Sequence, residues 1–398
     1  MPSLPVARRM AGIEPFQVMD LLARARSLEA QGRSIVHMEI GEPDFPTAGP
    51  IVEAGCRALR AGHTHYTPAT GLPALREAIA ADYARRHGVA IDARRILVTP
   101  GASGALQLIL AALVDPGRRV LMADPGYPCN RHFVRLFDGV AVSVPVDAST
   151  GYQLTPERVE WYWTPETVAV LLASPANPTG TVIGRAQLEG IRALAERRGG
   201  ALIVDEIYHG LVYGEPASSA VGAPEDADVF IVNSFSKYFG MTGWRVGWLV
   251  SPPRWVRELD KLAQNLYLAA STPAQYAALA ALEPATAAIL KARRDEFRER
   301  RDYLLPALRE IGFRIPVVPQ GAFYLYADCA AFTTDSDAFA HALLEEAGVA
   351  VTPGRDFGTN APERHLRFAY TTSLDRLEEG VERIRAFVAR RDRPRRAP

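Results

Sequence analysis

The chain lacks an excess of either charge. Its 45 Lys and Arg are matched by 45 Asp and Glu, so no global field draws it to nucleic acid or to an anionic membrane surface. Cysteine is scarce. Cys56, Cys129 and Cys329 stand far apart without metal-ligand spacing, which argues against a disulfide scaffold or a zinc module and reads as reduced thiols in a cytoplasmic protein. No apolar run nears the roughly 18 residues needed to span a bilayer. The opening MPSLPVARRMAGIEPF has no apolar stretch of the signal-peptide kind, and the basic end RRDRPRRAP reads as solvated tail. Internal repeats and low-complexity segments are missing too. What is present is 398 residues, 48% of them hydrophobic, enough for about two or three domains around a large core.

From Phe16 to Gln31, Val18, Leu21, Leu22, Ala25 and Leu28 recur at helical spacing, and Gly32 ends the run. Short apolar strands are then expected at Arg95–Thr99, Val120–Ala123, Val168–Ala173, Ala201–Asp205, Val229–Asn233 and Val246–Val250, with helices at Ser103–Leu113 and Arg185–Arg197. That alternation predicts an α/β layer with a mostly parallel sheet. From about Ala269 the pattern changes. A long helical stretch runs to Gly312, with breaks expected at Pro284 and Pro306. A β segment at Ala322–Tyr326, a helix at Ser336–Gly348 and a strand near Leu366–Ala369 follow. This end reads as a second, smaller α+β domain.

Chemistry-bearing residues gather just after the expected strands. Lys237 lies between Ser234 and Ser236 after an apolar run, with Arg245 beyond it. A lysine at a buried strand end is costly unless used, because desolvation penalises its ammonium. Forming a Schiff base with an aldehyde cofactor is one such use, and two hydroxyls and an arginine suit a phosphate. The alternative is a surface lysine before a glycine-rich turn. Gly101-Ala102-Ser103-Gly104 opens a helix where backbone N–H groups favour an anion. Tyr127, in Asp124-Pro125-Gly126-Tyr127-Pro128, could lie flat on a planar ring or be a half-buried loop tyrosine. Asn177 precedes a proline and is held extended, aiming its amide at a ring oxygen or closing an Asx-type turn. Asp205 ends a strand at the sheet's carboxyl edge, where such sheets place ligands; it could pair with a pyridine nitrogen or cap a helix. Tyr208 follows within reach of a phenolic oxygen, and Glu206 reads as a solvated carboxylate. Gly41-Glu42-Pro43-Asp44-Phe45 is a rigid turn with a bare glycine. Arg367 sits inside an apolar strand and needs a partner, either a substrate carboxylate or a buried Asp or Glu.

These motifs together resemble the pyridoxal-phosphate aminotransferases of fold type I, class I/II, close to the bacterial aspartate/aromatic-type branch. GEPDF, HYTPATG, ASPANPTG, DEIY and SFSKYFGMTGWRVG occur in family order from about Ile13 to the final helix. The resemblance implies a large cofactor-binding domain over 47–283 and a small domain from 1–46 plus 284–398. Lys237 then matches the lysine that carries pyridoxal 5'-phosphate, Asp205 the partner of its ring nitrogen, Asn177 and Tyr208 the pair on its phenolic oxygen, and Tyr127 the stacking aromatic. Ala102, Ser103, Ser234, Ser236 and Arg245 match the phosphate cradle. Tyr66 matches a tyrosine reaching the phosphate from a second subunit, implying a homodimer with shared sites. Gly41, Asn177 and Arg367 match the binders of the substrate's α-carboxylate.

One position departs from some relatives. Dicarboxylate-using members carry a lysine where Ser103 stands, so a preference for aspartate by that route is weakened. Leu266-Tyr267-Leu268 and Phe323-Tyr324-Leu325-Tyr326 are expected to wall the substrate pocket, with plain core as the alternative. The implied activity is ping-pong transfer of an amino group between an L-amino acid and a 2-oxo acid, with neutral aliphatic or aromatic donors slightly favoured. Aspartate aminotransferase and a C–S β-lyase or aminocyclopropane-forming enzyme of the same fold are the competing activities. A cofactor-binding regulatory module is the non-enzymatic one, disfavoured because no DNA-binding segment is expected ahead of Ile13.

Overall fold

The structure is a computed structural model that describes residues 4–391; the basic tail from Asp392 onward lies outside the described residues. In chain order its strands are β1 (Val36–Met38), β2 (Ile96–Thr99), β3 (Arg119–Asp124), β4 (Val140–Pro145), β5 (Thr167–Ala173) and β6 (Ala201–Asp205). Then come β7 (Val229–Ser234), β8 (Gly247–Val250), β9 (Tyr324–Asp328), β10 (Val349–Pro353) and β11 (His365–Ala369). Seven of them form one sheet in the order β2-β8-β7-β6-β5-β3-β4. The run from β7 to β4 is parallel, and β8 alone lies antiparallel to both its neighbours. Helices cover both faces, so β2, β6 and β8 are buried at every residue. That burial is why these strands are continuous apolar runs rather than alternating ones.

The first four α-helices are α1 (Gln17–Ala30), α2 (Gly49–Arg60), α3 (Pro73–His87) and α4 (Gly101–Leu113). The second sheet has the order β1-β10-β11-β9. Within it β1 runs parallel to β10, with Val36 opposite Val349. The first strand of the chain is thus held by one of the last. Leu21, Ala25 and Leu28 of α1 pack with Ile35, Leu344 and Ala350 beside that sheet. The Gly41–Phe45 turn is pinned from elsewhere: buried Arg300 donates to both Asp44 oxygens at 2.9 and 3.0 Å and to Glu296 at 2.5 Å.

Two local expectations need correction, the break at Pro306 and the start of the β segment, whereas the break at Pro284 is present. The helical stretch after Ala269 is two helices, Thr272–Ala281 and Pro284–Ile311. Pro284 opens the second, where its missing N–H is no loss, but Pro306 lies inside it. One forfeited ladder bond is outweighed there by the burial of Leu304, Leu305 and Leu308. The β segment expected from Ala322 starts at Tyr324 because Ala322 adopts a left-handed φ of 57°. A helix at Val256–Leu266 has no counterpart among the expected elements.

Candidate active site

The carboxyl ends of β2, β3, β5, β6 and β7 open on one cavity of about 740 Å³, at the edge where sheets of this kind bind ligands. Its lining includes Ala102 and Ser103 after β2, Tyr127 after β3, Asn177 after β5, Asp205 and Tyr208 around the end of β6, and Ser236 and Lys237 after β7. The Gly41 backbone, Glu42, Thr242, Arg245, Tyr324, Arg367 and Arg26 add to the polar part.

Lys237 is half-buried and its Nζ donates to the Gly41 carbonyl at 2.5 Å. Burial lowers its pKa to about 8; Arg367 and Arg245 push the same way, while Glu42 and Asp205 oppose them. An amine in that range is partly neutral at physiological pH and can act as nucleophile or base. Asp205 is buried and accepts the Ile207 N–H at 3.1 Å. Burial raises its pKa to about 6, against the pull of that N–H and of Lys237. It therefore braces the turn after β6 and faces the cavity as well. Glu206 is not solvated as expected. It is fully buried, accepts Ser219 Oγ at 2.8 and 3.0 Å and the Ala220 N–H at 2.8 Å, and burial raises it to about 8. It does not line the cavity that Asp205 faces, as the alternation of successive side chains at a strand end leads one to expect.

The anion-binding corner depends on two glycines. Gly101 starts α4 at φ 69°, and a Cβ there would lie 2.6 Å from Arg245 Nη2. A Cβ on Gly247 would lie 2.6 Å from the Gly101 carbonyl carbon. Bare backbone at both positions lets the arginine, the helix N-terminus and the β7 loop converge. Ser236 lines the cavity. Ser234 does not; its Oγ lies 2.9 Å from Ser236 Oγ and accepts the Ser236 N–H at 3.0 Å, holding that hydroxyl in place.

At the other end Arg367 is 2% exposed. It donates to Asn177 Oδ1 at 3.0 Å, to Thr352 Oγ1 at 3.2 Å and to the Glu39 carbonyl. Its guanidinium carbon lies 4.4 Å from the centre of the Tyr324 ring and 4.9 Å from that of Phe357. No carboxylate of the described residues pairs with it, and its Nε is buried without a partner. The structural alternative, a buried Asp or Glu, is thereby removed. Tyr324 was legible only as an aromatic wall. Its hydroxyl is 2.9 Å from that of Tyr208, and a methyl group on Gly41 would collide with it. Burial raises the pKa of both tyrosines, keeping them protonated.

Other expected residues lie outside the cavity of a single chain. Tyr66 is 81% exposed and does not line the cavity. Leu266 and Leu268 are also exposed, at 54% and 52%, and with Tyr267 lie outside it; Phe323, Leu325 and Tyr326 are core. The apolar wall comes from Phe16 and from Val18, Met19 and Leu22 of α1, together with Ile40 and Leu106. The carboxylate of Asp356 accepts the N–H groups of Gln17 at 3.0 Å and Val18 at 2.9 Å, fixing the first turn of α1. The helical period of α1 was visible in the sequence, but nothing local marks which of its faces meets a cavity. Among the described residues no cluster has the make-up of a metal site, and no helix is long and apolar enough to cross a membrane.

A family model described as aminotransferase class I and II matches residues 33–384. The chain is 37% identical over 378 residues to the valine–pyruvate aminotransferase of Mycobacterium tuberculosis, covering 95% of this chain and 97% of that one. It is 38% identical over 397 residues to an aspartate aminotransferase of Streptomyces avermitilis, covering 96% of each. A crystal structure of an aminotransferase from Mycobacterium tuberculosis superposes with a TM-score of 0.94 at 38% identity, covering 98% of this chain and 100% of that one.

Proposed function

The chain belongs to the class I and II aminotransferases, a pyridoxal-phosphate-dependent family of fold type I, and from that premise we propose how its residues divide the work of moving an amino group between an amino acid and a 2-oxo acid. The site fits that cofactor: a lysine with a lowered pKa, a buried carboxyl with a raised one and a glycine-lined corner under Arg245 share one cavity. When bound, pyridoxal phosphate supplies an electron sink that loosens the bonds at the substrate's α-carbon.

Lys237 would hold the cofactor's aldehyde, and Asp205 the proton on its ring nitrogen. Asn177 and Tyr208 would hold its phenolic oxygen, and Tyr127 would cover a ring face. Ala102, Ser103, Ser236 and Arg245 would bind the phosphate, with Ser234 bracing Ser236. A second copy of the chain would add Tyr66, so a homodimer is part of the proposal; the exposure of Tyr66 supports it. Arg367, Asn177 and the Gly41 backbone would bind the substrate's α-carboxylate and turn its Cα–H toward Lys237. Lys237 Nζ, once free, would take that proton and return it as a general acid. The observation that carries this reading is Arg367, a buried cation with no carboxylate partner facing the same cavity as Lys237.

The apolar wall and the uncharged Ser103 support a neutral aliphatic or aromatic donor, in the manner of the valine–pyruvate relative. A cytoplasmic setting is supported by the three unpaired cysteines. The division into 47–283 and 1–46 plus 284–398 is supported by the two separate sheets. The donor is tested by kcat/KM for alanine, leucine, phenylalanine and aspartate with 2-oxoglutarate or pyruvate, read from the cofactor's absorbance. At least one neutral donor is expected to match or exceed aspartate. Aspartate ahead of all three by about tenfold, the scale of a desolvated charge pair, overturns the neutral preference. Pyruvate and ammonia formed without an oxo acid would identify a β-lyase instead.

A further inference from the structure

The work proposed for Lys237 leaves its Nζ holding an extra proton for part of each turnover. In that state its ammonium shares the cavity with three guanidinium groups, those of Arg26, Arg245 and Arg367. Two carboxylates line the same cavity, Asp205 and Glu42. Asp205 is committed in the proposed scheme to the cofactor's ring nitrogen, and Glu42 has no part in it. The hydroxyls of Tyr127, Tyr208 and Tyr324 also face the cavity, but burial keeps all three protonated and uncharged.

Glu42 is tied to the lysine's loop at several points. Lys237 Nζ donates to the carbonyl of Gly41, the residue before Glu42, at 2.5 Å. The Glu42 carboxylate accepts the hydroxyl of Thr242, later in the loop that carries Lys237. The Thr242 carbonyl in turn accepts Arg245 Nη1 at 3.1 Å. Behind the turn, Thr47 Oγ1 donates to the Gly240 carbonyl at 2.7 Å and accepts Trp244 Nε1 at 3.1 Å. These bonds keep the carboxylate near the lysine. Of the charges that act on Lys237, Glu42 has the largest effect: it raises the amine's pKa, as Asp205 does more weakly, against burial and the two arginines Arg367 and Arg245. Glu42 is itself exposed, so it acts without a large desolvation cost and under partial screening by salt.

We propose that Glu42 is a positioning residue for the transamination, the counter-charge that stabilises the Lys237 ammonium each time Nζ takes the proton from the substrate's α-carbon. The inference rests on the aminotransferase reading. The proton passes from Cα to Nζ and leaves from the same nitrogen; Glu42 takes none. Without its charge the ammonium would face three guanidinium groups with only Asp205 to offset them, and the amine would be a weaker base.

The test compares Glu42→Gln, which keeps an oxygen for the Thr242 hydroxyl but loses the charge, with Glu42→Asp, which keeps the charge. In the apoenzyme, labelling of Lys237 by acetic anhydride across a pH series, read by peptide mapping, gives the midpoint of that amine. Wild type is expected near pH 8. Glu42→Gln should bring the midpoint down by roughly 0.5–1 pH unit, about three- to tenfold in basicity, the screened scale of one nearby opposite charge. Glu42→Asp should stay close to wild type. Added salt should lower the wild-type midpoint and barely move that of Glu42→Gln. In the holoenzyme, single turnovers with alanine at pH 9, where the amine is neutral in each protein, should slow about three- to tenfold in Glu42→Gln with a larger isotope effect from deuterium at Cα. A Lys237 midpoint unchanged in Glu42→Gln, or equal falls in the Gln and Asp variants, overturns the role of Glu42. Failure of the aminotransferase reading would look different: wild type would form no aminated enzyme from any donor, while the apoenzyme midpoints would still separate.

Discussion

The floor of the cavity and its α1 wall are built on opposite terms. On the floor, Asp205 and Ser236 are buried and hydrogen-bonded in place, and half-buried Lys237 is held by the Gly41 carbonyl. On the wall, Met19 and Arg26 are exposed, and the helix is anchored at its first turn by Asp356 and along one face by Leu21, Ala25 and Leu28. Buried groups suit chemistry, because their pKa values can be shifted and their positions fixed. A solvated wall suits choice, because it can meet side chains of different polarity without leaving a charge stranded. On the proposed reading, reaction type and substrate range reside in different parts of one cavity, and substitutions should separate them.

The floor should fail most sharply at Lys237. Lys237→Ala is expected to slow single-turnover transamination by roughly 10⁴-fold, since the proposed attachment point and general base are both lost. In wild type, borohydride reduction with peptide mapping should mark Lys237. A mark on another lysine would move the centre of the floor.

Asp205→Asn should cut the same rate by at least ~100-fold, the scale of one preorganised charge partner. In the apoprotein its effect on stability should have the opposite sign. The folded-state pKa of Asp205 is raised by burial to about 6 from 3.8. A raised carboxyl favours folding below its unfolded pKa, and that advantage is lost as pH rises through the folded value. Above pH 6 the buried charge is a cost, with a ceiling of about 3 kcal/mol. Denaturant melts should find the apo variant more stable than wild type at pH 7, with the gain gone near pH 4. A gain at both pH values would point to packing rather than charge.

The wall should respond more mildly. Asp356→Ala removes the carboxylate that holds the first turn of α1, a loss of about 1 kcal/mol for a helix cap. The expected outcome is a several-fold rise in KM for neutral donors with kcat little changed, measured in steady state. A fall in kcat with KM unchanged would make α1 part of the chemical machinery and erase the contrast.

The two regions also differed in how far they could be read from the chain. Strand ends were legible because strands buried on both faces give unbroken apolar runs, and the loops after them are punctuated by glycine and proline. Asp205, Lys237 and Arg367 stood out as charges beside such runs, and the resemblance gave them roles. The wall was not legible. Leu266-Tyr267-Leu268 looked like a pocket lining and is not one in this chain, whereas Leu22 read only as part of the helix's apolar face and Met19 and Arg26 drew no reading. Which helix face meets a cavity is set by the packing of α1 on a sheet assembled from distant segments. Tyr324 does line the cavity as expected, but Glu206 was misread for a related reason: its place at a strand end did not say where a carboxylate would be buried.

The parallel pairing of β1 with β10 also sets a schedule. During synthesis β1 emerges early, but the edge that receives it is not made until Val349–Pro353 have been added. At about 5–20 residues per second that wait is on the order of tens of seconds, during which the seven strands of the large sheet are already available to pair. The floor can thus be assembled on the ribosome while the Gly41 turn and the helix above it still lack their seat. A chain halted before β10 would hold Lys237 and Asp205 without Arg367, and so would lack part of the proposed site until nearly all of it had been translated.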